Sequence, residues 1–523
     1  MGVDDGVGGE DEGCWVEGDD GGGKPASSVV ESAAMTLSRK LITRRQRLLS
    51  SPFIRPYPSS SPTTMPSNIA GPDVSPAIPL AGPRALHRSS TGSVHAPSTT
   101  SLPTASRSSS STLLEDPRKG SAIVQGLPHA FFHLDARHYK TTEFALTLLD
   151  IFDVLRVPSW SKATIVPNAI KIHKVSGSLT NAVFFVSLPH NSTRTLLLRI
   201  YGGSSGALIS RPRELHTLHV LSSTYHMGPR VYGTFENGRL EEYFDSETLT
   251  AADIRVPKIS RHIGARMAEL HGVDIAAIED PSVFAQGATR SWQIGAQKNV
   301  KSWLPPARKV IALPVISDEI KRELDLDVFE ERWEKYMKWM KVLEKAEGAS
   351  KRVFCHNDAQ YGNLLKLRKM QEGTPEHRQI IVVDFEYASP NPLAFDIANH
   401  FHEWTANYHG PTPHLLDPSN YPSPDQRRNF YKAYLTHAQR PLPSSCTTPF
   451  LSLSEGDQQR ELSKLEMHVR AWSPASHAMW TIWGLVQARE DLEGGVEEPE
   501  FDYISYSRCR MAAFYREVGE LGI

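Results

Sequence analysis

The sequence predicts an α+β, two-lobed fold in which a small β-rich lobe is followed by a larger, mainly helical one. Three observations predict it. Residues 170–244 hold five short runs rich in β-branched, leucine and aromatic side chains, punctuated by Gly, Asn and Ser. From about Ile254 onward, apolar side chains recur at helical spacing instead. Met1 to about Pro117 offers almost nothing from which to build a core.

That leader opens with eight carboxylates and no basic residue in its first 23 positions, then carries a basic patch at Arg39, Lys40, Arg44, Arg45, Arg47 and Arg55. Ser, Thr and Pro dominate to Ser111, a composition that cannot repay its own ordering entropy. Residues 1–120 are therefore expected to be disordered, leaving a 121–248 N-lobe and a 249–523 C-lobe. The basic patch offers a weak contact with an anionic membrane surface, or simply a solvated segment. Met35 to Pro56 faintly resembles a mitochondrial presequence, against which the acidic start at Met1 argues. A net charge of −2 gives no reason to expect nucleic acid as a partner. No window of 18 apolar residues predicts a transmembrane segment. Four scattered cysteines form neither a zinc pattern nor a disulfide framework and suit a reducing cytoplasm.

In chain order, Phe144, Leu148, Ile151, Phe152 and Leu155 share one helical face. Ile170–Val175 and Ala182–Ser187 read as strands joined by a glycine-containing turn at Gly177–Asn181. Thr195–Tyr201 is a third strand, joined through the hairpin tip Pro189–Ser192. Arg213–Leu221 reads as a helix whose Glu214 looks back toward the sheet. Arg230–Phe235 and Leu240–Phe244 form a second hairpin around Glu236-Asn-Gly-Arg239. In the second lobe, Ile259, Ile263, Met267 and Leu270 mark a helix ending near His271-Gly272, and Phe329–Leu343 marks another. Leu364–Leu367 and Gln379–Phe385 are strands, with Asp384 facing away from Val383 and Phe385. Residues 411–456 read as loop-rich with a short helix at Phe430–Tyr434, and Gly494–Pro499 as a polar insertion.

The chemistry concentrates in His356-Asn-Asp-Ala-Gln-Tyr-Gly-Asn363 and Ile380-Ile-Val-Val-Asp-Phe-Glu386. A loop aspartate, an asparagine five residues later and a strand-borne aspartate are what phosphoryl transfer asks for: a base for an acceptor hydroxyl and oxygen ligands for Mg2+. Asp358 is the base candidate, and Asn363 and Asp384 the metal candidates; a surface-turn role for Asp358 explains one residue but not the spacing. Arg199, inside Leu196-Leu-Leu-Arg-Ile200, stands where kinases place a phosphate-gripping cation, with Glu214 as its expected partner. An edge-strand arginine facing water is the alternative. Lys171 and Lys174 on an exposed strand are more simply solvated charges. Asp396 suits an interior brace for the Asp358 loop or a helix cap. Trp480, Trp483, Phe501, Tyr503 and Tyr506, with Glu403 and Tyr408, fit either core packing or an aromatic box for a quaternary ammonium.

These motifs together resemble the choline/ethanolamine kinase family, most like its fungal members, over roughly Leu127 to Glu520. The diagnostic stretches are Ser176-Gly-Ser-Leu-Thr-Asn181, Leu197-Leu-Arg-Ile-Tyr-Gly202, Met227-Gly-Pro229, His356–Leu365, Asp384-Phe-Glu-Tyr387 and Phe395–Trp404. The resemblance implies a protein-kinase-like fold, shared with aminoglycoside phosphotransferases, and ATP-dependent phosphorylation of choline with some activity on ethanolamine. It implies ATP contacts from Gly177, Ser178, Leu179, Thr180, Asn181, Arg199, Glu214, Glu242, Tyr243, Gln360 and Asp384. It assigns Asp358 as base, Asn363 and Asp384 to Mg2+, and Glu403, Tyr408, Trp480, Trp483, Phe501, Tyr503 and Tyr506 to the amino alcohol. Homodimers occur among such proteins, although no interface is legible here. An ethanolamine-preferring kinase is the nearest rival, and a catalytically silent lipid-surface scaffold the rival of another class.

Overall fold

The computed structural model describes residues 121–124, 126–161, 165–175, 181–188, 195–201, 210–279, 292–438, 449–497, 499 and 501–523. All of them lie in one compact unit, Pro52–Ile523. The expectations for residues 1–120, for the phosphate turn at 177–180 and for the hairpin tip at 189–192 fall outside the described residues.

The N-terminal lobe is one seven-stranded sheet. Its strands are β1 (Ser121–Val124), β2 (Leu127–Ala130), β3 (Lys171–Val175), β4 (Asn181–Ser187), β5 (Leu196–Tyr201), β6 (Val231–Phe235) and β7 (Gly238–Glu242). They run in the order β1-β2-β6-β7-β5-β4-β3, with β2 and β6 parallel and the other neighbours antiparallel. The β1–β2 pair escapes sequence reading because each strand has four residues and Pro128 argues against a ladder position.

Helix α1 (Thr142–Val154) is capped by Thr141, whose side chain accepts from Phe144 N. Its Phe144, Leu148, Ile151 and Phe152 bury against Phe184, Val186, Leu196, Leu198 and Ile200 of the sheet. Alternation along β5 follows: Leu196, Leu198 and Ile200 face α1, and Arg199 faces the other way. Because β5 lies between β7 and β4, Arg199 is on an interior strand and not on an edge. The β6–β7 connection is tighter than expected. Gly238 and Arg239 join the ladder opposite Phe235 and Thr234, leaving Glu236 and Asn237 as the turn. A Cβ at position 238 would run into the Phe235 ring and the Arg199 carbonyl, so only glycine lets the three strands close. Helix α2 (Arg211–Thr224) buries Glu214 beside Leu215 and Leu218.

The second lobe is mainly helical. Its helices are α3 (Pro257–Leu270), α4 (Gly295–Ile311), α5 (Asp318–Glu323), α6 (Leu326–Glu347), α7 (Leu393–Glu403), α8 (Pro424–His437), α9 (Glu455–Gly494) and α10 (Tyr503–Glu520). Two small sheets carry the polar loops. Strand β10 (Leu364–Leu367) pairs with β8 (Ser246–Thr248) and β11 (Ile380–Val382), and β9 (Arg352–Cys355) pairs with β12 (Ser389–Pro392). The strand expected to reach Phe385 ends at Val382. Asp384 is presented instead by the turn after β11, at a left-handed φ of 66°. The helix expected at Phe430–Tyr434 runs over Pro424–His437, because Ser423 and Gln426 close a reciprocal capping box ahead of it. Among the described residues, no helix is long and apolar enough to cross a membrane.

Candidate active site

Every residue of α7 is buried, and four of its polar residues, Asp396, Asn399, His400 and Glu403, recur at i, i+3, i+4 and i+7. That spacing puts them on one face of the helix, where Asp396, Asn399 and His400 reach the Asp358 loop and Glu403 meets Tyr408 and Arg510. The Asp396 carboxylate accepts from the backbone N–H groups of His356 at 2.9 Å and Asn357 at 2.8 Å, and meets His271 Nε2 at 3.0 Å. It is the interior brace. Asn399 donates to the Asn357 carbonyl at 3.0 Å, and His400 Nδ1 donates to the Ala359 carbonyl at 2.8 Å.

Held this way, the loop presents Asp358. Asn363 fixes its side chain, donating from Nδ2 to both the carbonyl and Oδ2 of Asp358 at 2.9 Å. His356 couples the loop to the next turn, since Nε2–H donates to the Val383 carbonyl at 3.0 Å while Nδ1 accepts from Asp358 N at 3.3 Å. Burial, then the charges of Glu403, Asp384 and Glu386, push the Asp358 carboxyl well above the ordinary carboxylate range. Burial and the charges of Asp384 and Glu214 likewise raise Glu386 to about 8.

Asp358 thus has like charges for neighbours, while Asp384 and Glu386 have their nearest cations, Arg199 and Arg211, only at 3.8 and 3.9 Å. Buried oxygens Asp384 Oδ1 and Glu386 Oε2 have no hydrogen-bond partner among the described residues. With the Asn363 Nδ2 group spent on Asp358, its amide oxygen is the remaining ligand atom of that side chain. Two unsatisfied carboxylate oxygens and an amide oxygen make a hard-oxygen donor set, which fits Mg2+. Asp384, at its left-handed φ, and Asn357, at φ 65°, are the loop residues whose backbone the surrounding contacts must hold in place.

Arg199 lies 3.8 Å from Asp384 Oδ2 and 3.8 Å from Glu241 Oε1. Its expected partner, Glu214, is taken by others: Arg239 Nη2 at 2.8 Å and Arg211 Nη1 at 2.7 Å. The reason is the ladder, which places Arg239 of β7 directly beside Arg199. Glu242 accepts from Arg230 N at 3.3 Å, and the Tyr243 ring packs 4.9 Å from Phe185 at the end of β7. Gln360 caps its own turn by accepting from Gly362 N at 3.3 Å. Gly177, Ser178, Leu179 and Thr180 lie outside the described residues, and Asn181 opens β4.

Below the carboxylates, the aromatic residues form one connected wall. Trp480 and Trp483 meet edge to face at 5.0 Å, and Trp483 is 5.7 Å from Tyr503 and 6.0 Å from Tyr506. Phe501 contacts Tyr503, Tyr506 and Tyr408 at 4.9, 5.5 and 6.5 Å. Gly484 makes this possible, since a Cβ there would collide with Ser507 and Tyr506 and push α10 off α9. The indoles are anchored: Trp480 Nε1 donates to Asn399 at 2.7 Å, and Trp483 Nε1 donates to the Tyr387 hydroxyl at 2.9 Å. Glu403 accepts from the Tyr408 hydroxyl at 2.7 Å and from Arg510 at 3.2 Å.

Sequence reasoning did not single out Glu386, Tyr387, Arg239, Asn399 or Arg510 as site residues. The polar helical face of α7 was a usable signal for Asn399, and the Tyr506/Arg510 spacing of four on α10 one for Arg510. Trp472, on the same helix as Trp480 and Trp483, is fully buried and lies under Arg352.

The profile of the choline/ethanolamine kinase family matches residues 172–515. A choline kinase of Schizosaccharomyces pombe is 34% identical over 73% of this chain and 90% of its own length. One from Saccharomyces cerevisiae is 28% identical over 80% of each, and a human choline/ethanolamine kinase is 30% identical over 68% of this chain and 82% of its own. Among solved structures, a choline kinase from Cryptosporidium parvum Iowa II superposes with a TM-score of 0.54 at 23% identity, covering 72% of this chain and 95% of the other. A Plasmodium vivax ethanolamine kinase gives 0.52 at 21% identity, covering 73% and 90%. At such identities the two structures speak for the protein-kinase-like fold alone.

Proposed function

The chain belongs to the choline/ethanolamine kinase family, and we propose that it transfers the γ-phosphoryl group of ATP to the hydroxyl of choline, and more slowly to that of ethanolamine, giving the phosphorylated amine and ADP. The observation that carries this reading is the position of Asp358. Asn363, a metal candidate of the same loop, fixes its carboxylate at 2.9 Å, and α7, which braces that loop through Asp396, Asn399 and His400, also carries Glu403 and anchors Trp480 through Asn399.

In this reading Asp358 receives the hydroxyl proton as the acceptor oxygen attacks phosphorus and the bond to ADP breaks. Asn363, Asp384 and Glu386 would hold Mg2+, which would supply positive charge against the nucleotide phosphates. Arg199 directs its charge to the same phosphates. The family resemblance assigns Gly177–Asn181, of which 177–180 lie outside the described residues, to the same phosphates; Glu242 and Tyr243 would border the nucleotide base, with Glu214 behind Arg239 and Gln360 stiffening the loop. Tyr387, Trp480, Trp483, Phe501, Tyr503 and Tyr506 give the ammonium its π faces, and Tyr408 orients Glu403. The reaction fits an early step in phosphatidylcholine synthesis, in a reducing cytoplasm that suits the free thiols Cys355 and Cys509. Ethanolamine activity is supported by relatives that carry both names.

Following phosphocholine formation by 31P NMR with Mg2+, ATP and choline tests this. Phosphocholine should accumulate only with all three present. Mg2+-dependent nucleotide binding with no phosphorylated amine would favour a silent scaffold.

A further inference from the structure

Glu403 meets the pocket with both oxygens already engaged, Oε1 by Arg510 Nη2 at 3.2 Å and Oε2 by the Tyr408 hydroxyl at 2.7 Å. Arg510 is wholly buried and fixed on further sides. Its Nε donates to the Tyr506 hydroxyl at 3.0 Å, its guanidinium carbon lies 5.2 Å from the Tyr506 ring centroid, and Nη1 donates to His477 Nδ1 at 3.4 Å. Because Nδ1 accepts, neutral His477 carries its proton on Nε2, 3.3 Å from Glu517 Oε1. Burial and the neighbouring His402 keep His477 neutral, with a pKa of about 3.

His402, His477 and Glu517 sit close enough to suggest a metal centre. Their geometry speaks otherwise. The imidazole rings stack 3.9 Å apart with 19° between planes, so no ion lies in the plane of both, and the His477 Nε2 lone pair is spent on its proton. The group is a hydrogen-bonded backstop for Arg510.

We infer that Arg510 is a specificity-determining residue: by occupying Glu403, it makes the acceptor pocket favour a quaternary ammonium over a primary one. A primary ammonium carries three N–H donors and a tight hydration shell, and surrenders water only to unshared acceptors. A quaternary ammonium has no donor and is satisfied by aromatic faces, which this pocket supplies through Trp480, Trp483 and Tyr506. The inference rests on the reading of the pocket as an amino-alcohol site.

Wild type, R510Q and R510K, as full chains, are compared for kcat/KM on choline and on ethanolamine at fixed Mg2+ and ATP. In R510Q the ethanolamine-to-choline ratio rises roughly tenfold, the size expected of one unmasked neighbouring charge after partial screening, and it does so through KM. R510K retains the cation and stays near the wild-type ratio. An unmoved ratio in folded R510Q overturns the inference. Should R510Q fail to give a cooperative melt, E403Q/R510Q, which buries no lone charge, takes its place. There, whatever the fall in overall activity, the ethanolamine-to-choline ratio stays within about threefold of wild type, whereas a fall of about tenfold or more would mean that Glu403 serves the primary ammonium in spite of Arg510 and overturns the inference. A wild type inactive on both amines removes the functional reading and this inference with it; an active one with an unmoved ratio removes only the role of Arg510.

Discussion

The Asp396 carboxylate holds the backbone nitrogen of Asn357 at 2.8 Å, and Asn357 sits in the left-handed region at φ 65°. The rest of Asn357 is equally committed. Its Nδ2 donates to the Tyr387 carbonyl and Ser389 Oγ, its Oδ1 accepts from Asn391, and its own carbonyl accepts from Asn399. One carboxylate thus fixes the turn that presents Asp358.

Replacing Asp396 tests that relationship. D396A leaves two buried backbone N–H groups unpaired and should cost about 3 kcal/mol or more of stability, together with a large fall in kcat. Thermal melts and steady-state kinetics on the same preparation check it. A D396A protein with wild-type melting temperature and kcat would show that the loop holds its shape unaided.

Asp358 itself should behave differently. D358N preserves the shape of the side chain and removes the proposed base, so kcat should fall by roughly 10²–10⁴-fold while the melting temperature stays near wild type. Retained turnover above about a tenth of wild type would place the base elsewhere.

Much of this was legible in the chain because it depends on spacing alone. The interval from Asp358 to Asn363 and the apolar run leading to Asp384 announce a loop and a strand end, and alternation in Leu196-Leu-Leu-Arg-Ile200 announces which way Arg199 points. What was not legible depends on partner choice across long separations. Glu214 has three arginines within reach, Arg199, Arg211 and Arg239, and only the β5–β7 register decides that Arg239 and not Arg199 pairs with it beside Arg211. Arg510 reaches Glu403 from 107 positions away, across a helix packing that no local pattern encodes. The β1–β2 pair is too short to leave a period.

The Glu214 pair makes a prediction about acid stability. Burial pushes this carboxyl up, but the guanidiniums of Arg239, Arg199 and Arg211 overrule it and hold its pKa at about 2, below the usual 4.5. A depressed folded-state pKa contributes stability that is complete above the unfolded value and is lost as pH falls through the folded one. The pair should therefore add at most about 3 kcal/mol above pH ~5, fading toward pH ~2. In urea titrations, the stability gap between wild type and E214Q should narrow across that window. A gap of constant size would mean that Glu214 is not ionised by its arginines.

In the proposed reading Trp483 contributes binding and not chemistry. W483A removes a ring that Trp480, Tyr503 and Tyr506 all touch, so the KM for choline should rise by about tenfold or more, the value of one desolvated cation–π contact, while the KM for ATP moves little. Global unfolding of W483A would assign the ring to the core instead.

The most direct test of the central claim is the rate of ADP release by the purified chain with Mg2+ and ATP, measured with choline, with ethanolamine and with no amine. The account predicts release that depends on the amine, with kcat/KM higher for choline than for ethanolamine. Release no faster with either amine than without one would contradict it.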